Sequence, residues 1–447
     1  MKNSKSDSAN KKSFHIITIG CQMNKSDSER VNGFLSELGY KYNPDQLKAG
    51  IIILTTCGVR QSAEDRIYGL IPRIKRLNPK AKIILTGCLA LRPDVKKRLE
   101  KQVDFWMPIS QLKTLKDFLQ KNTKTSASAK KDSSAYLKIP AIYGSSISAS
   151  VPIGNGCDNF CAYCVVPYAR GAEVYRPLKD IVSEVRSLVK NGYKEINLIA
   201  QNVNSYRDPN NNNFPKLLKS INGIPGEFWI RFLTSHPKDM SDELISTIKS
   251  CEKVCRYIHL PVQAGDNQIL KAMNRKYTAG HYNKLILKIR KSLDKTKTPM
   301  LPGWNPPVSI STDLIVGFPG ETKAQFKKSA IIFKEMSFDM AYISKYSPRP
   351  GTAAAKLNDD VKKSEKKRRE EEIMKILRKT ALANNKKYLG QMVKVLVEGK
   401  TKKGQWIGKT ETYKVVKFKS ISEADLTGKF ISVIITNAYD FGLDGKL

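Results

Sequence analysis

The chain has no apolar run that approaches the roughly 20 residues needed to span a bilayer. Its first dozen residues are polar and contain no apolar core, which indicates a tail and not a signal peptide. These two absences argue against a membrane protein and a secreted one. We therefore expect a soluble, cytoplasmic protein with no membrane partner and a disordered tail over residues 1–12.

Acidic residues are also few: 41 Asp and Glu stand against 78 Lys and Arg, which gives a formal net charge of +37. An excess of this size indicates a polyanionic partner, with nucleic acid as the first candidate. A solvated basic surface or an organism-wide bias is the alternative. The hydrophobic fraction of 40% suffices for ordinary folded cores. A chain of 447 residues predicts about two to four domains.

Cysteine and histidine are scarce, and eight cysteines in a chain this long do not make a disulfide scaffold. Three of them, Cys157, Cys161 and Cys164, form a Cys-x3-Cys-x2-Cys run with Tyr163 just before the last thiol. None of the four histidines lies nearby to complete a closed zinc site, which needs four ligands. Ordinary electron-transfer clusters also use four cysteines, so three thiolates leave one iron of a cubane open. An open iron can bind S-adenosylmethionine (SAM), and the run matches the radical-SAM signature.

Three other cysteines follow predicted strands near the amino terminus. Strands starting at Phe14, Ile51 and Lys82 alternate with helices over 26–38 and 63–77. This alternation predicts a doubly wound parallel sheet, which places ligands at the carboxyl ends of its strands. We expect the cysteines just past these ends to share one edge: Cys21, Cys57 and Cys88.

A thiolate at a turn into a helix is favoured by backbone N–H groups and by the helix dipole. Three equivalent placements therefore predict a second cluster site, although each cysteine taken singly fits a small buried side chain. This cluster also has an open iron or lacks one corner. We interpret Cys251 and Cys255 as structural.

The remaining segments predict two further folded regions. Five apolar segments between 195 and 344 alternate with helical ones and predict a partial (β/α) barrel. A charged helix over 361–387 precedes alternating strands, which predict a small β-barrel of about 60 residues. The predicted domains are an amino-terminal α/β domain with the second cluster at 13–121, a linker at 122–147, a radical-SAM barrel at 148–387 and a β-barrel at 388–447.

The chain resembles the radical-SAM methylthiotransferases, most closely the bacterial enzymes that modify N6-isopentenyladenosine in tRNA (the MiaB type). The motifs that carry the resemblance are Gly20-Cys-Gln-Met-Asn, Thr56-Cys-Gly-Val-Arg, Thr86-Gly-Cys, Gly156-Cys-Asp-Asn-Phe-Cys-Ala-Tyr-Cys, Gln201-Asn-Val-Asn-Ser-Tyr, Arg231-Phe-Leu-Thr-Ser-His-Pro, His259-Leu-Pro-Val-Gln-Ala-Gly, Asp313-Leu-Ile-Val-Gly-Phe-Pro-Gly and Tyr346-Ser-Pro-Arg-Pro-Gly-Thr. The tail resembles a TRAM domain, an RNA-binding β-barrel.

The resemblance implies roles for particular residues. Cys157, Cys161 and Cys164 would bind the SAM cluster, and Cys21, Cys57 and Cys88 an auxiliary cluster, both of the [4Fe-4S] type. The residues assigned to SAM or substrate contacts are Tyr163, Gln201, Ser235, Gln263, Arg275 and Asp313. The candidates for RNA contacts on the tail barrel are Lys409, Tyr413, Lys414, Lys417 and Lys419.

The implied activity is methylthiolation at C2 of N6-isopentenyladenosine next to the anticodon of tRNA, with two SAM molecules and two clusters. The implied partners are a tRNA anticodon stem-loop, a sulfur donor and an electron donor such as flavodoxin or ferredoxin, with the protein as a monomer. The same chemistry on threonylcarbamoyladenosine in tRNA or on a ribosomal-protein aspartate stays open. So does a non-catalytic iron–sulfur RNA-binding protein.

Overall fold

A computed structural model describes residues 12–59, 61–121, 135–294, 304, 306–420 and 424–447. Almost all of the predicted tail at 1–12, the first half of the predicted linker and most of the loop at 295–307 lie outside these ranges. Across the described part of the chain, no helix combines the length and apolar character needed to cross a bilayer.

The amino-terminal domain is the predicted doubly wound sheet. Its five strands are β1 Ser13–Thr18, β2 Lys41–Tyr42, β3 Ile51–Thr56, β4 Lys82–Gly87 and β5 Phe105–Trp106, parallel in the order β2-β1-β3-β4-β5. Its helices are α1 Gln22–Glu37, α2 Gln61–Leu77, α3 Pro93–Leu99 and α4 Thr114–Lys121. Alternate residues of β3 enter separate cores, with Ile53 facing α1 and Leu54 facing α2. Burial on both faces explains the continuous apolar run of this strand.

The described half of the predicted linker packs into this domain. Residues Ala135–Lys138 form a 3-10 helix, and Tyr136, Leu137 and Ile139 are buried in the core that contains α1. The Tyr136 hydroxyl donates to Asp27 Oδ1 at 3.3 Å. Residues 135–139 therefore extend the amino-terminal domain and are not a free connection.

The central domain is the predicted partial barrel. Its strands are β6 Ser148–Pro152, β7 Gly154–Asn155, β8 Val174–Tyr175, β9 Glu195–Ile199, β10 Trp229–Phe232, β11 Tyr257–His259, β12 Ser309–Val316 and β13 Met340–Lys345. Its helices are α5 Val166–Arg170, α6 Leu178–Lys190, α7 Phe214–Asn222, α8 Asp242–Ser250, α9 Asn267–Ala272, α10 Ala279–Leu293 and α11 Lys323–Met336. Parallel sheets β10-β9-β6 and β11-β12-β13 meet where Ile230 bridges Val254, and β7 pairs with β8 antiparallel.

A long helix leads into the carboxyl-terminal barrel. The helix is α12 Lys363–Lys386, and the strands are β14 Met392–Lys400, β15 Trp406–Thr410, β16 Val415–Lys419, β17 Phe430–Tyr439 and β18 Gly442–Lys446. They close in the order β14-β15-β16-β18-β17. The small β-barrel was predicted, but β18 was not.

The carboxyl-terminal barrel docks on the amino-terminal ends of the central strands. Arg231 is 1% exposed. It donates to Glu195 Oε1 at 2.5 Å and to the carbonyls of Thr410 and Glu411 at 2.7 Å each. Tyr413 stacks on Tyr257 with ring centroids 4.6 Å apart. Because Glu195 and Tyr257 begin their strands, this contact lies at the edge opposite to the strand ends that precede the cysteine loops.

We expect Arg231→Ala to lower the free energy of unfolding of the docked barrel by about 3–5 kcal/mol, because it leaves the buried Glu195 carboxylate unpaired. The measurement is urea denaturation followed by tryptophan fluorescence, since Trp229 packs against Phe430 across the same contact at 4.8 Å. The control is Glu227→Ala, which removes a more exposed pair with Lys394. It should cost less than about 1 kcal/mol. Equal losses in both variants would contradict a docking role for Arg231.

Candidate functional site

The loop of the first cysteine triad is held by backbone contacts on both sides. Gly156 has φ +84°, and a Cβ at this position would lie 2.0 Å from the carbonyl oxygen of Ala172, so only glycine fits. The Cys157 amide donates to Gly171 O at 3.2 Å, and the Cys164 amide donates to Cys161 O at 2.9 Å. The loop is therefore closed by its own backbone, which fixes the positions of the cysteines along it.

Polar side chains lie next to these thiols. Asn159 Nδ2 is 3.3 Å from Cys157 Sγ, and Arg275 Nη1 is 3.3 Å from Cys161 Sγ. Burial raises the pKa of the Cys157 thiol. Burial, followed by the neighbouring Cys161, raises the pKa of Cys164 to about 12. Because a metal ligates the thiolate, binding a cluster here would release protons.

The cysteines of the second triad follow β1, β3 and β4, as predicted. Cys57 and Cys88 are buried, and Cys21 is exposed at the start of α1. The carbonyl of Thr56 joins their loops, because it accepts from the Cys88 amide at 2.9 Å and from Asn24 Nδ2 at 2.9 Å. Asn24 in turn lies 3.2 Å from Cys21 Sγ through its Oδ1 atom. The three turns are thus tied to one strand end.

The two triads meet at the interface between the domains. A Cβ placed on Gly58 would lie 3.2 Å from Val165 Cγ2 and 3.3 Å from Cys88 Cβ. Gly58 follows Cys57, and Val165 follows Cys164, so the two cysteine loops pack directly on each other. Cys88 is also among the groups that raise the pKa of Cys164, after burial and Cys161.

The donor chemistry of both triads suits an iron–sulfur cluster. The structure pairs none of these six cysteines in a disulfide, and thiolates are the usual ligands of such clusters. In the described ranges, no three His, Cys, Asp or Glu side chains converge on a site for a single metal ion. A cubane does not require such convergence, because each cysteine binds a different iron.

Two residues assigned to SAM contacts carry buried polar atoms without hydrogen-bond partners. These atoms are Gln201 Oε1 and Ser235 Oγ. Gln201 follows β9 and Ser235 follows β10, and the adjacent strand ends are joined by Thr234 Oγ1 donating to Ala200 O at 2.6 Å. Because burying a polar atom without a partner is costly, these atoms suit a polar ligand that the protein alone does not supply.

The other assigned residues lie around the first triad, in the loop after β11 and within β12. Arg275 contacts Cys161 as described and lies next to Tyr163, whose pKa burial raises well above its ordinary value. Gln263 has φ +65°, and its amide donates to Asp313 O at 2.9 Å. Arg275 Nη2 lies 3.4 Å from the carbonyl of Pro261, which is on the loop that carries Gln263.

Two histidines beside these residues had received no role from the sequence. His259 Nε2 lies 3.4 Å from Asp313 Oδ2, and its Nδ1 atom lies 2.8 Å from Ser311 Oγ. His236 packs against Tyr277, with ring centroids 5.6 Å apart. Burial, followed by the charge of Arg275, lowers the pKa of His236 to about 2, so its ring is neutral. Both histidines stand in quoted motifs, but only the fold brings them to this site.

The structure separates the RNA candidates of the tail barrel into two groups. Lys417 and Lys419 are exposed, and Lys409 pairs with Glu398 at 2.7 Å. Lys414 is buried and pairs with Asp339 at 2.6 Å, so its interpretation as a phosphate contact is wrong. Tyr413 stacks on Tyr257 and is also part of the domain contact.

The two cysteines interpreted as structural are both buried. Cys251 ends α8, and Cys255 packs with Trp229 and Leu396. Neither is among the residues that surround the two triads.

Three family models match the chain in sequence. They are an uncharacterized protein family (UPF0004) over residues 13–108, the radical SAM superfamily over 151–330 and the TRAM domain over 386–447. Among solved structures, the radical S-adenosylmethionine methyltransferase TsrM from Kitasatospora setae matches with a TM-score of 0.55, 12% identity and 77% of each chain. A likeness at this identity supports the fold alone.

Curated relatives match almost end to end. A tRNA-2-methylthio-N(6)-dimethylallyladenosine synthase from Clostridium tetani is 40% identical over 99% of this chain and 97% of its own length. The protein of the same name from Thermodesulfovibrio yellowstonii is 39% identical over 97% of this chain and 98% of its own. The chain therefore belongs to the tRNA-2-methylthio-N(6)-dimethylallyladenosine synthase family of radical SAM proteins.

Proposed function

We propose that the protein transfers a methylthio group to C2 of N6-isopentenyladenosine next to the anticodon of tRNA. The observation that carries this proposal is the packing of the two cysteine loops on each other across one interface, through Gly58 and Val165. A methylthio transfer needs radical chemistry and a sulfur source within reach of one substrate atom. The relatives named above supply the substrate class.

In this proposal the first triad would hold one [4Fe-4S] cluster together with SAM, and the second triad would hold the auxiliary cluster. When bound, the clusters would supply the electron for reductive SAM cleavage and the sulfur chemistry of the transfer. Two SAM molecules are used, one as methyl donor and one as the source of the radical that activates C2–H. A radical is needed because an aromatic C–H is too weak an acid for a side-chain base.

The protein's own side chains bind and orient the reactants. Gln201 and Ser235 offer buried polar atoms to SAM, and Arg275 places a cation next to Cys161. Gln263 follows β11, and its backbone pairs with β12 beside Asp313. Ser235, Gln263 and Arg275 are buried, so their polar groups act where water is largely excluded and electrostatic interactions are stronger.

RNA binding is assigned to the basic surface, including Lys417 and Lys419 of the tail barrel. The net charge of +37 supports a polyanionic substrate. We further propose that the protein acts as a cytoplasmic monomer, with flavodoxin or ferredoxin as electron donor and a separate sulfur donor.

The two clusters should be separable by mutation. Replacing Cys157, Cys161 and Cys164 by Ala should remove about four irons and abolish SAM cleavage. Replacing Cys21, Cys57 and Cys88 should also remove about four irons but leave reductive cleavage to 5′-deoxyadenosine. The measurement is iron content and SAM cleavage after anaerobic reconstitution, with Cys251→Ala as a control that keeps both clusters. Full iron content in the second triple variant would refute the auxiliary site.

The N6 group of the substrate should control the rate. Burying an apolar group yields about 0.8 kcal/mol per carbon, or up to about 4 kcal/mol for the five carbons of isopentenyl. An unmodified stem-loop should therefore react up to about three orders of magnitude more slowly, at about 1.4 kcal/mol per tenfold. The measurement compares isopentenylated, threonylcarbamoylated and unmodified anticodon stem-loops with one enzyme preparation.

Methylthio product from the threonylcarbamoylated RNA alone would move the substrate to that nucleoside. Product from none of the three RNAs would favour the ribosomal-protein aspartate. SAM cleavage is the control in each case, because its loss would instead indicate a non-catalytic iron–sulfur protein.

A further inference from the structure

A short segment after β13, residues 346–354, which we name the strap, contacts the loops of both cysteine triads. Its sequence is Tyr346-Ser-Pro-Arg-Pro-Gly-Thr-Ala-Ala. Arg349, Thr352 and Ala354 are buried, whereas the intervening Pro350 and Gly351 are exposed. The buried residues of the strap therefore face inward, towards the interface of the two domains.

One end of the strap binds the loop of the first triad. The Ala354 amide donates to the carbonyl of Ala162, which lies between Cys161 and Cys164, at 2.7 Å. The Tyr346 hydroxyl donates to Ala354 O at 2.8 Å and holds this end in place. The strap thus completes the hydrogen bonding of the cluster loop itself.

The side chain of Arg349 reaches the loop of the second triad. Its Nη2 atom donates to Val59 O at 3.0 Å, and its Nη1 atom donates to Gln61 Oε1 at 2.7 Å. The Val59 amide in turn lies 3.4 Å from Cys57 Sγ. The guanidinium of Arg349 therefore binds the turn that carries Cys57, at Val59, two residues after the cysteine.

The guanidinium is oriented by an anionic group behind it. Glu64 Oε2 lies 3.9 Å from Arg349 Nη1. The same carboxylate accepts hydrogen bonds from both terminal nitrogens of Arg92, at 2.6 and 2.9 Å. The Arg349 side chain is only 9% exposed. A planar guanidinium in such a setting makes directional bonds that a lysine ammonium cannot reproduce.

The link between the two ends of the strap is stiff. Thr352 donates to Arg349 O from its amide at 3.1 Å and from its hydroxyl at 2.8 Å. Pro348 and Pro350 restrict the backbone on either side of Arg349. The strap therefore connects the Cys57 turn to the loop between Cys161 and Cys164 through a short, restricted stretch of backbone.

Other contacts hold the two domains together. Buried ion pairs on α1 join Arg30 to Glu184 at 3.2 Å and Asp27 to Arg170 at 2.6 Å. These pairs do not involve the strap. Loss of Arg349 should therefore loosen the Cys57 turn without separating the domains.

We propose that Arg349 is a positioning residue that sets the separation of the two cysteine triads. It ties the turn after Cys57, through the strap, to the loop between Cys161 and Cys164. This inference rests on the proposed function: a fixed separation keeps the radical formed at one site within reach of the sulfur held at the other. Without Arg349, SAM cleavage continues, but fewer cleavage events lead to product.

The test compares Arg349→Ala, Arg349→Lys and Lys345→Ala with the unchanged protein, all anaerobically reconstituted. Lys345 is the control because it precedes the strap and pairs with Glu370 within its own domain. Three quantities are measured: iron content, the ratio of 5′-deoxyadenosine to methylthio product, and hydrogen exchange of the amides in 57–61 and 161–165.

For Arg349→Ala we expect unchanged iron content and a ratio raised at least about tenfold. Hydrogen exchange should rise by at least about tenfold at 57–61, as expected for losing hydrogen bonds to a charged donor. For Arg349→Lys, the ratio and the exchange should lie between those of the alanine variant and the unchanged protein, because lysine restores the charge but not the two hydrogen bonds of the guanidinium. It also serves as the test variant if the alanine variant does not fold.

A ratio unchanged in both Arg349 variants would overturn the proposal, as would the same rise in Lys345→Ala. Loss of about four irons would assign Arg349 to assembly of the auxiliary site and overturn the positioning role. If the unchanged protein cleaves SAM but forms no methylthio product, the proposed function fails. The exchange at 57–61 then still decides whether Arg349 holds the Cys57 turn.

Discussion

The packing of Gly58 between Cys88 and Val165 is the contact on which the site depends. It brings together the carboxyl-terminal edges of two parallel sheets from different domains. Open α/β sheets and (β/α) barrels both place their ligands at this edge. When two such edges face each other, a single site contains two cysteine triads, because each domain contributes one.

The interface around that contact contains buried polar and charged side chains. Helix α1 buries Asn24, Asp27, Glu29 and Arg30 against neighbouring elements. Buried ion pairs contribute little net stability, but removing one partner is costly. They therefore disfavour relative orientations of the two domains that break the pairs. The same logic applies to Arg231 at the opposite edge of the barrel, where one guanidinium joins Glu195 to the tail barrel.

Much of the fold could be predicted from local pattern. The continuous apolar runs of β1, β3 and β4 and the helical periodicity between them are strong local signals, so the order of these elements and the shared edge of Cys21, Cys57 and Cys88 could be predicted. Strand β6 was missed because Ser148-Ala-Ser-Val-Pro has little apolar character, and its place is set by pairing with β9. Strand β18 was missed for the same reason, since Gly442-Leu-Asp-Gly-Lys has only one buried apolar residue.

The remaining gaps concern contacts between domains. Tyr413 and Lys414 lie in the turn between β15 and β16, and the sequence pattern does not indicate which surface of the barrel another domain covers. The contacts of His236, His259 and Arg349 involve residues distant in sequence, up to 290 positions away between Arg349 and Val59. Local spacing identified the cysteine motifs because their ligands are close in sequence or follow equivalent strands. It could not identify the side chains that position them.

The most direct test of the account is to locate iron in crystals of the anaerobically reconstituted protein by anomalous diffraction at the iron edge. The account predicts two separate iron sites, one bound by Cys157, Cys161 and Cys164 and the other by Cys21, Cys57 and Cys88. Both should lie on the side of the central barrel away from the tail barrel, facing each other across Gly58 and Val165. Iron at only one triad, or two sites on opposite faces of the barrel, would contradict it.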